Sequence, residues 1–146
     1  VKLGGQLTPP VIAGGKVFVS KIDAHALYAM DEQSGEERWR FIAGAPIDSP
    51  PTIHRGRVIF GSSDGWIYCL TASQGELVWR YRAAPLDRRT MAYEQLESLW
   101  PVSGSVLVRN DQVYGVAGRS IFLDGGLRML RLDLATGAKL SESIMD

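Results

Sequence analysis

The chain has 146 residues, 45% of them hydrophobic, with 16 Lys and Arg balanced by 16 Asp and Glu. That is ordinary globular material, long enough for one modest core, and its zero net charge argues against a nucleic-acid binder held by a basic surface. Its apolar runs stop well short of the roughly 20 residues of a membrane-spanning helix, and its single cysteine, Cys69, excludes an internal disulfide or a multi-cysteine zinc site.

The first residue is valine, and nothing ahead of the first motif has the layout of a signal peptide, so the expectation is a chain trimmed by processing or by the choice of its ends. From Thr8 the sequence reads TPPVIAGGKVFVS, and from Ser49 it reads SPPTIHRGRVIFG, with Pro9 answering Pro50 and Gly15 answering Gly56. AMDEQSGEERW, Ala29 to Trp39, is answered by CLTASQGELVW, Cys69 to Trp79. A third, weaker copy follows: GSVLVRNDQVYGVAG from Gly104 sets Val113 on Val58, and LRLDLATGAKLS from Leu130 sets Gly137 on Gly75, with Ser141 where a tryptophan would stand. A period of about 40 residues signals a repeat architecture.

Within the second copy, Pro51 to His54, Val58 to Gly61, Trp66 to Leu70 and Leu77 to Arg82 are short runs rich in β-branched and aromatic residues. Arg55-Gly56, Ser63-Asp64-Gly65 and Ser73-Gln74-Gly75 supply the turns between them, so successive strands run antiparallel. No stretch sustains a helical apolar period beyond about two turns. Four antiparallel strands per repeat make a β-propeller blade, whose sheet packs on its neighbours through both faces. The predicted fold class is therefore all-β: about three blades of a partial propeller, with blade 1 at about 6–43, blade 2 at about 47–83, a crossover insertion at 84–100 and blade 3 at about 101–146.

These repeats resemble the quinoprotein-type, or pyrroloquinoline-quinone-like, propeller family, which is typically eight-bladed and carries a tryptophan-docking motif, Ala-x-Asp-x-x-Thr-Gly-x-x-x-Trp. Ala29, Asp31, Ser34, Gly35 and Trp39 match it with serine for threonine. The second copy keeps Gly75 and Trp79 but has Cys69, Thr71 and Gln74, and the third keeps Asp133, Thr136 and Gly137. The resemblance implies that Gly35, Trp39, Gly75, Trp79 and Gly137 are structural docking residues, the turn fixing the ring against the adjacent blade. It also implies a periplasmic or extracellular protein. Because an open stack leaves blade faces bare, the expected partners are the remaining blades of a longer propeller or a second copy of the chain.

Candidate chemistry is sparse. GSSDG, Gly61 to Gly65, matches a nucleophile elbow around Ser63, but that motif needs a strand entering a helix and here a strand follows. His54 takes the repeat position of Ala13 and reads as a tolerated polar residue, and His25 sits in a hairpin loop without a carboxylate in view. Gly14-Gly15-Lys16 lacks the first glycine of a P-loop, and no alternating acidic run offers a calcium loop. Enzymes of the resembled family use a vicinal cysteine disulfide, a calcium held by carboxylate and amide groups, and a catalytic aspartate; one cysteine and one asparagine, Asn110, cannot supply the first within this chain. No cofactor is therefore expected here, and pyrroloquinoline quinone with calcium belongs only to the alternative reading, a fragment of a quinone-dependent dehydrogenase. Cofactor-free members of the family are scaffolds, as in outer-membrane protein assembly, or accessory domains of secreted proteins.

Two departures from the repeat stand out: APLDRRTMAYEQLESLW, Ala84 to Trp100, and RSIFLDGG, Arg119 to Gly126. Strand parity places blade-to-blade crossovers and second-to-third hairpins on one face, so both insertions should rise there side by side. Long loops on a rigid scaffold are where binding concentrates. The candidate binding face is thus Arg88, Arg89, Tyr93, Glu94, Glu97, Trp100, Arg119 and Asp124, with Arg88 and Arg89 expected near Asp124 and Arg119 near Glu94 or Glu97. The expected function is a non-catalytic scaffold or binding module that takes a protein or polymeric ligand through this face.

Overall fold

A computed structural model describes residues 3–92 and 95–146. Alternating apolar runs separated by glycine turns fold into antiparallel ladders, and the described residues form three four-stranded sheets and one two-stranded pair. The first sheet contains β1 (Val11–Ala13), β2 (Lys16–Lys21), β3 (Ala26–Asp31) and β4 (Glu37–Ile42). The second contains β5 (Thr52–His54), β6 (Arg57–Gly61), β7 (Trp66–Thr71) and β8 (Leu77–Arg82). After them come the pair β9 (Arg89–Ala92) and β10 (Gln95–Ser98), then the third sheet, β11 (Leu107–Arg109), β12 (Gln112–Ala117), β13 (Leu127–Asp133) and β14 (Lys139–Met145). Each four-stranded sheet keeps chain order, the up-and-down meander of a propeller blade.

Because side chains alternate across a strand, each sheet offers one apolar row to each neighbour. Phe18, Leu27, Ala29 and Trp39 of the first sheet meet Val58, Phe60, Tyr68 and Leu70 of the second. The opposite row of the second sheet, Ile59, Ile67, Cys69 and Trp79, meets Val113, Ala117, Leu130 and Leu132 of the third. Most of the core therefore lies in two seams between three sheets, with a smaller buried cluster, Val19, Ala26 and Tyr28, on the other face of the first sheet. On the far side of the third sheet Leu107, Met129 and Val116 remain exposed.

Two features depart from the sequence reading. The crossover insertion contains a strand pair, with Met91 opposite Leu96 and Thr90 opposite Glu97. Each third-to-fourth ladder also shifts register once, between Ala29 and Met30, Cys69 and Leu70, and Arg131 and Leu132. The extra residue tightens local twist beside the turn that carries the docking glycine.

Candidate functional site

The third-to-fourth turns lie on one side of the stack and hold it together. Asp31 accepts the amides of Gln33 and Ser34 at 2.9 and 2.8 Å and a guanidinium hydrogen of Arg38 at 3.0 Å. Those bonds to its ionised form, that from Ser34 foremost, hold its carboxyl well below the usual range. The chain then turns through Gly35, at φ 72°. Trp39 lies over the corresponding turn of the next sheet: a Cβ on Gly75 would sit 2.5 Å from its ring, and its Nε1–H donates to the Ala72 carbonyl at 3.0 Å. Trp79 repeats this on Gly137, where an added Cβ would come within 2.6 Å, and donates to the Leu134 carbonyl at 2.7 Å. Both indoles are more than nine-tenths buried, and only glycine leaves room for them. In the third sheet the position across from Arg131 is Ser141, which is exposed.

On the same side His54 and Arg55 meet Asp111 of the third sheet, at 3.2 and 3.1 Å. This corrects the reading of His54 as merely tolerated: it joins two sheets through a carboxylate 57 residues away.

The other side of the stack gathers the crossovers around the turn Ser62 to Gly65. Ser63 donates its amide to the Pro46 carbonyl at 2.8 Å, and Ser62 Oγ donates to the Ala45 carbonyl at 3.0 Å. From the following crossover, Ser98 and Val102 donate their amides to the Ser63 and Ser62 carbonyls, at 2.7 and 3.0 Å. Asp64 is buried and accepts the amides of Gly44 and Trp66 at 3.1 and 3.0 Å and the hydroxyl of Tyr68. Burial, reinforced by Asp64, holds the Tyr68 hydroxyl above the usual tyrosine range. Ser63 is 4% exposed and sits in a strand-to-strand turn, so the GSSDG stretch is a structural joint between two crossovers.

Both insertions rise from this side and touch. Trp100, which ends the crossover, is buried and donates Nε1–H to the Asp124 carbonyl at 2.8 Å. The ion pairs differ from those expected. Arg119 pairs with Asp124 inside its own loop, and Arg89 pairs with Asp87 at 3.4 Å. Short loops place their own charges within reach, so local pairs outcompete bonds between insertions. Arg88 is exposed and enters no ion pair among the described residues; Tyr93 and Glu94 lie outside the described residues. Glu97 is half-buried on β10, where desolvation first and Asp48 second raise its carboxyl pKa while Arg119 opposes them. Asp48, in the crossover from the first to the second sheet, is a member of this face that sequence reasoning missed. The same parity argument applied to that shorter crossover would have found it.

Cys69 is the single cysteine, wholly buried between the second and third sheets, where desolvation raises its thiol to about 11. No group of three His, Cys, Asp or Glu side chains among the described residues is arranged to hold a metal ion.

Residues 1–144 match the family described as outer membrane protein assembly factor BamB. The chain belongs to this family. Its repeats are quinoprotein-type propeller blades, and among curated relatives it is 25% identical over 119 residues to the BamB of Moranella endobia, covering 78% of this chain and 29% of that protein. Against the BamB of Burkholderia pseudomallei it is 29% identical over 93 residues, covering 62% and 24%. The chain thus spans under a third of the relatives it matches. Among solved structures, quinohemoprotein alcohol dehydrogenase from Comamonas testosteroni superposes with a TM-score of 0.75 at 18% identity, over 96% of this chain and 21% of that one. BamB from Moraxella catarrhalis gives 0.57 at 20% identity, over 92% and 47%. Both likenesses concern the fold, a set of propeller blades.

Proposed function

We propose that this chain is a non-catalytic segment of a longer propeller that binds protein through the face where its insertions meet. The observation that carries the reading is the junction of the two insertions at Trp100 and Asp124 over the braced Ser62 to Gly65 turn. Away from that face the turns are short, and those at Gly75 and Gly137 are filled by the ring of the neighbouring sheet. A rigid stack carrying long loops at one end is the usual form of a binding scaffold. Membership in a family described by outer-membrane protein assembly supports protein partners and a periplasmic or secreted location; no helix among the described residues is long and apolar enough to cross a membrane.

The test is made in the intact parent protein. Residues 86–98 are replaced by a short Gly-Ser link and residues 119–126 by an Asn-Gly turn, with thermal unfolding as the control for folding. Loss of one or more co-purifying partners, quantified by mass spectrometry, is the expected result; full retention of every partner overturns the reading. The alternative, a fragment of a quinone-dependent dehydrogenase, shares its blade fold with the quinohemoprotein alcohol dehydrogenase. An absorbance change or thermal shift on adding pyrroloquinoline quinone with calcium would support it, and neither is expected.

A further inference from the structure

Three residues cross each four-stranded sheet as a rung, one from each of its last three strands. In the first sheet the rung is Phe18, Ala29 and Trp39, and in the second it is Ile59, Cys69 and Trp79. Each sets a small side chain beside the indole, and each is buried beneath the sheet that follows in sequence. The third sheet repeats the rung with Tyr114, Arg131 and Ser141. Here the sizes are exchanged. A long cation stands where the first two sheets have alanine and cysteine, and a serine stands where they have tryptophan. Leu130, just before Arg131, packs in the seam with the second sheet, so strand alternation turns Arg131 to the opposite, open face.

Arg131 is half-buried in a groove that it lines with Tyr114, Met129, Ser141 and Ser143. Its Nε is buried without a hydrogen-bond partner, and its guanidinium enters no ion pair among the described residues. A buried donor left unbonded is costly, so its lack of a partner here needs a reason. The rest of the face is apolar, with Leu107, Val116 and Met129 exposed. What covers it follows from the rest of the chain. The matching faces of the first and second sheets are each covered by the next sheet in sequence, and the relatives of this chain run well beyond the length that it matches. Both indoles seat on the third-to-fourth turn of the covering sheet and donate to a carbonyl of that turn. A sheet closing over Arg131 in the same way would bury its charge, and a buried charge is stable only when paired and hydrogen-bonded.

We infer that Arg131 is the docking residue of the third sheet, its guanidinium pairing with a carboxylate on the third-to-fourth turn of a fourth blade formed by the parent chain after Asp146. An ion pair there replaces the indole of the first two seams, and the small Ser141 leaves the turn room to approach. The inference rests on the longer-propeller reading above and adds the chemistry of the next seam.

The test is made in the intact parent protein, with p-benzoylphenylalanine in place of Ser141. Irradiation is expected to link position 141, within one chain, to the third-to-fourth turn of the next blade, and mass spectrometry should find Asp or Glu in the linked peptide. Arg131→Met keeps the stem and removes the cation. It should lower the thermal midpoint of the parent by about 2 °C or more, whereas Arg88→Met, at an exposed position on the crossover, should leave it unchanged. Changing the carboxylate of the linked peptide to its amide should then remove most of the effect of Arg131→Met, as for two groups that act as a pair. A link to a second copy or to another protein, a linked peptide without a carboxylate, or a midpoint indifferent to Arg131→Met overturns the inference. If the link forms as expected and Arg131→Met changes nothing, the longer-propeller reading stands and this inference falls. If position 141 links to nothing in its own chain, both fall.

Discussion

Truncating Trp79 to alanine should be among the most damaging single changes in the chain. The indole is 7% exposed, fills the seam between the second and third sheets, and occupies space that a Cβ on Gly137 would enter. Burial of that size costs about 3–5 kcal/mol when removed. The Leu134 carbonyl, left without its Nε1–H donor, adds about 1 kcal/mol. Trp66 is only partly buried, with Arg80 stacked on its outer face at 4.5 Å, so its truncation should cost about 1–2 kcal/mol. A double-mutant cycle then isolates the docking itself. Gly137→Ala in the native background suffers both a left-handed backbone, at φ 75°, and collision with the indole, together about 2–3 kcal/mol. With Trp79 already alanine, only the backbone cost of about 1 kcal/mol remains. Urea denaturation of the four proteins should therefore give a coupling of about 1–2 kcal/mol. Equal costs at Trp79 and Trp66, or a strictly additive cycle, would refute the assignment of Trp79 as the ring that docks one sheet on the next.

Cys69, buried and with its thiol held at about 11, should resist iodoacetamide at pH 8 in the folded protein and react readily in guanidinium, as read by mass shift. Tyr68→Phe removes one of three donors to the buried Asp64 and should cost about 1–2 kcal/mol in the same denaturation series, whereas a neutral result would mean that Asp64 needs only its two amides. Asp31 has a folded pKa depressed below its unfolded value. Its stabilisation is therefore present above about pH 4 and lost as the pH falls further, so Asp31→Asn should flatten the acid limb of a stability profile, and an unchanged limb would contradict the bonding described. The 146-residue chain by itself should associate at micromolar concentration through Leu107, Val116 and Met129, with light scattering as the measure and a stable monomer as the contrary result.

The all-β fold class was legible because its signals are local. A strand announces itself by β-branched alternation, a turn by glycine, and a repeat by recurrence of both at a fixed spacing. Features that depend on long-range geometry left no such trace. His54 and Asp111 meet across two sheets although neither has a neighbour in sequence that points to the other. The pairing of Arg119 with Asp124 was misassigned because charge type alone does not say which of several carboxylates a loop will fold toward. The crossover was read as a loop since Thr90, Met91 and Leu96, Glu97 alternate too briefly to stand out beside the longer strands.

The two ends of the stack differ because the topology constrains them differently. At the docking end the turns at Gly75 and Gly137 are fixed from both sides, by their own ladder and by the ring of the preceding sheet, and the turn at Arg55 is tied to the Asp111 carboxylate of the next. Trp39 on Gly75, Trp79 on Gly137 and His54 with Arg55 on Asp111 all fall there. Lengthening such a turn would break a contact between sheets. At the other end every crossover leaves and returns on the same side, so extra residues need only rise away from the stack, and the entropic cost of a longer closed loop grows slowly. What such insertions require is a firm base. Ser62 and Ser63 provide it by bonding to Ala45 and Pro46 on one side and to Ser98 and Val102 on the other, with Asp64 fixed beneath them by backbone amides and Tyr68. The GSSDG stretch thus owes its composition to a joint that must satisfy several buried polar groups at once.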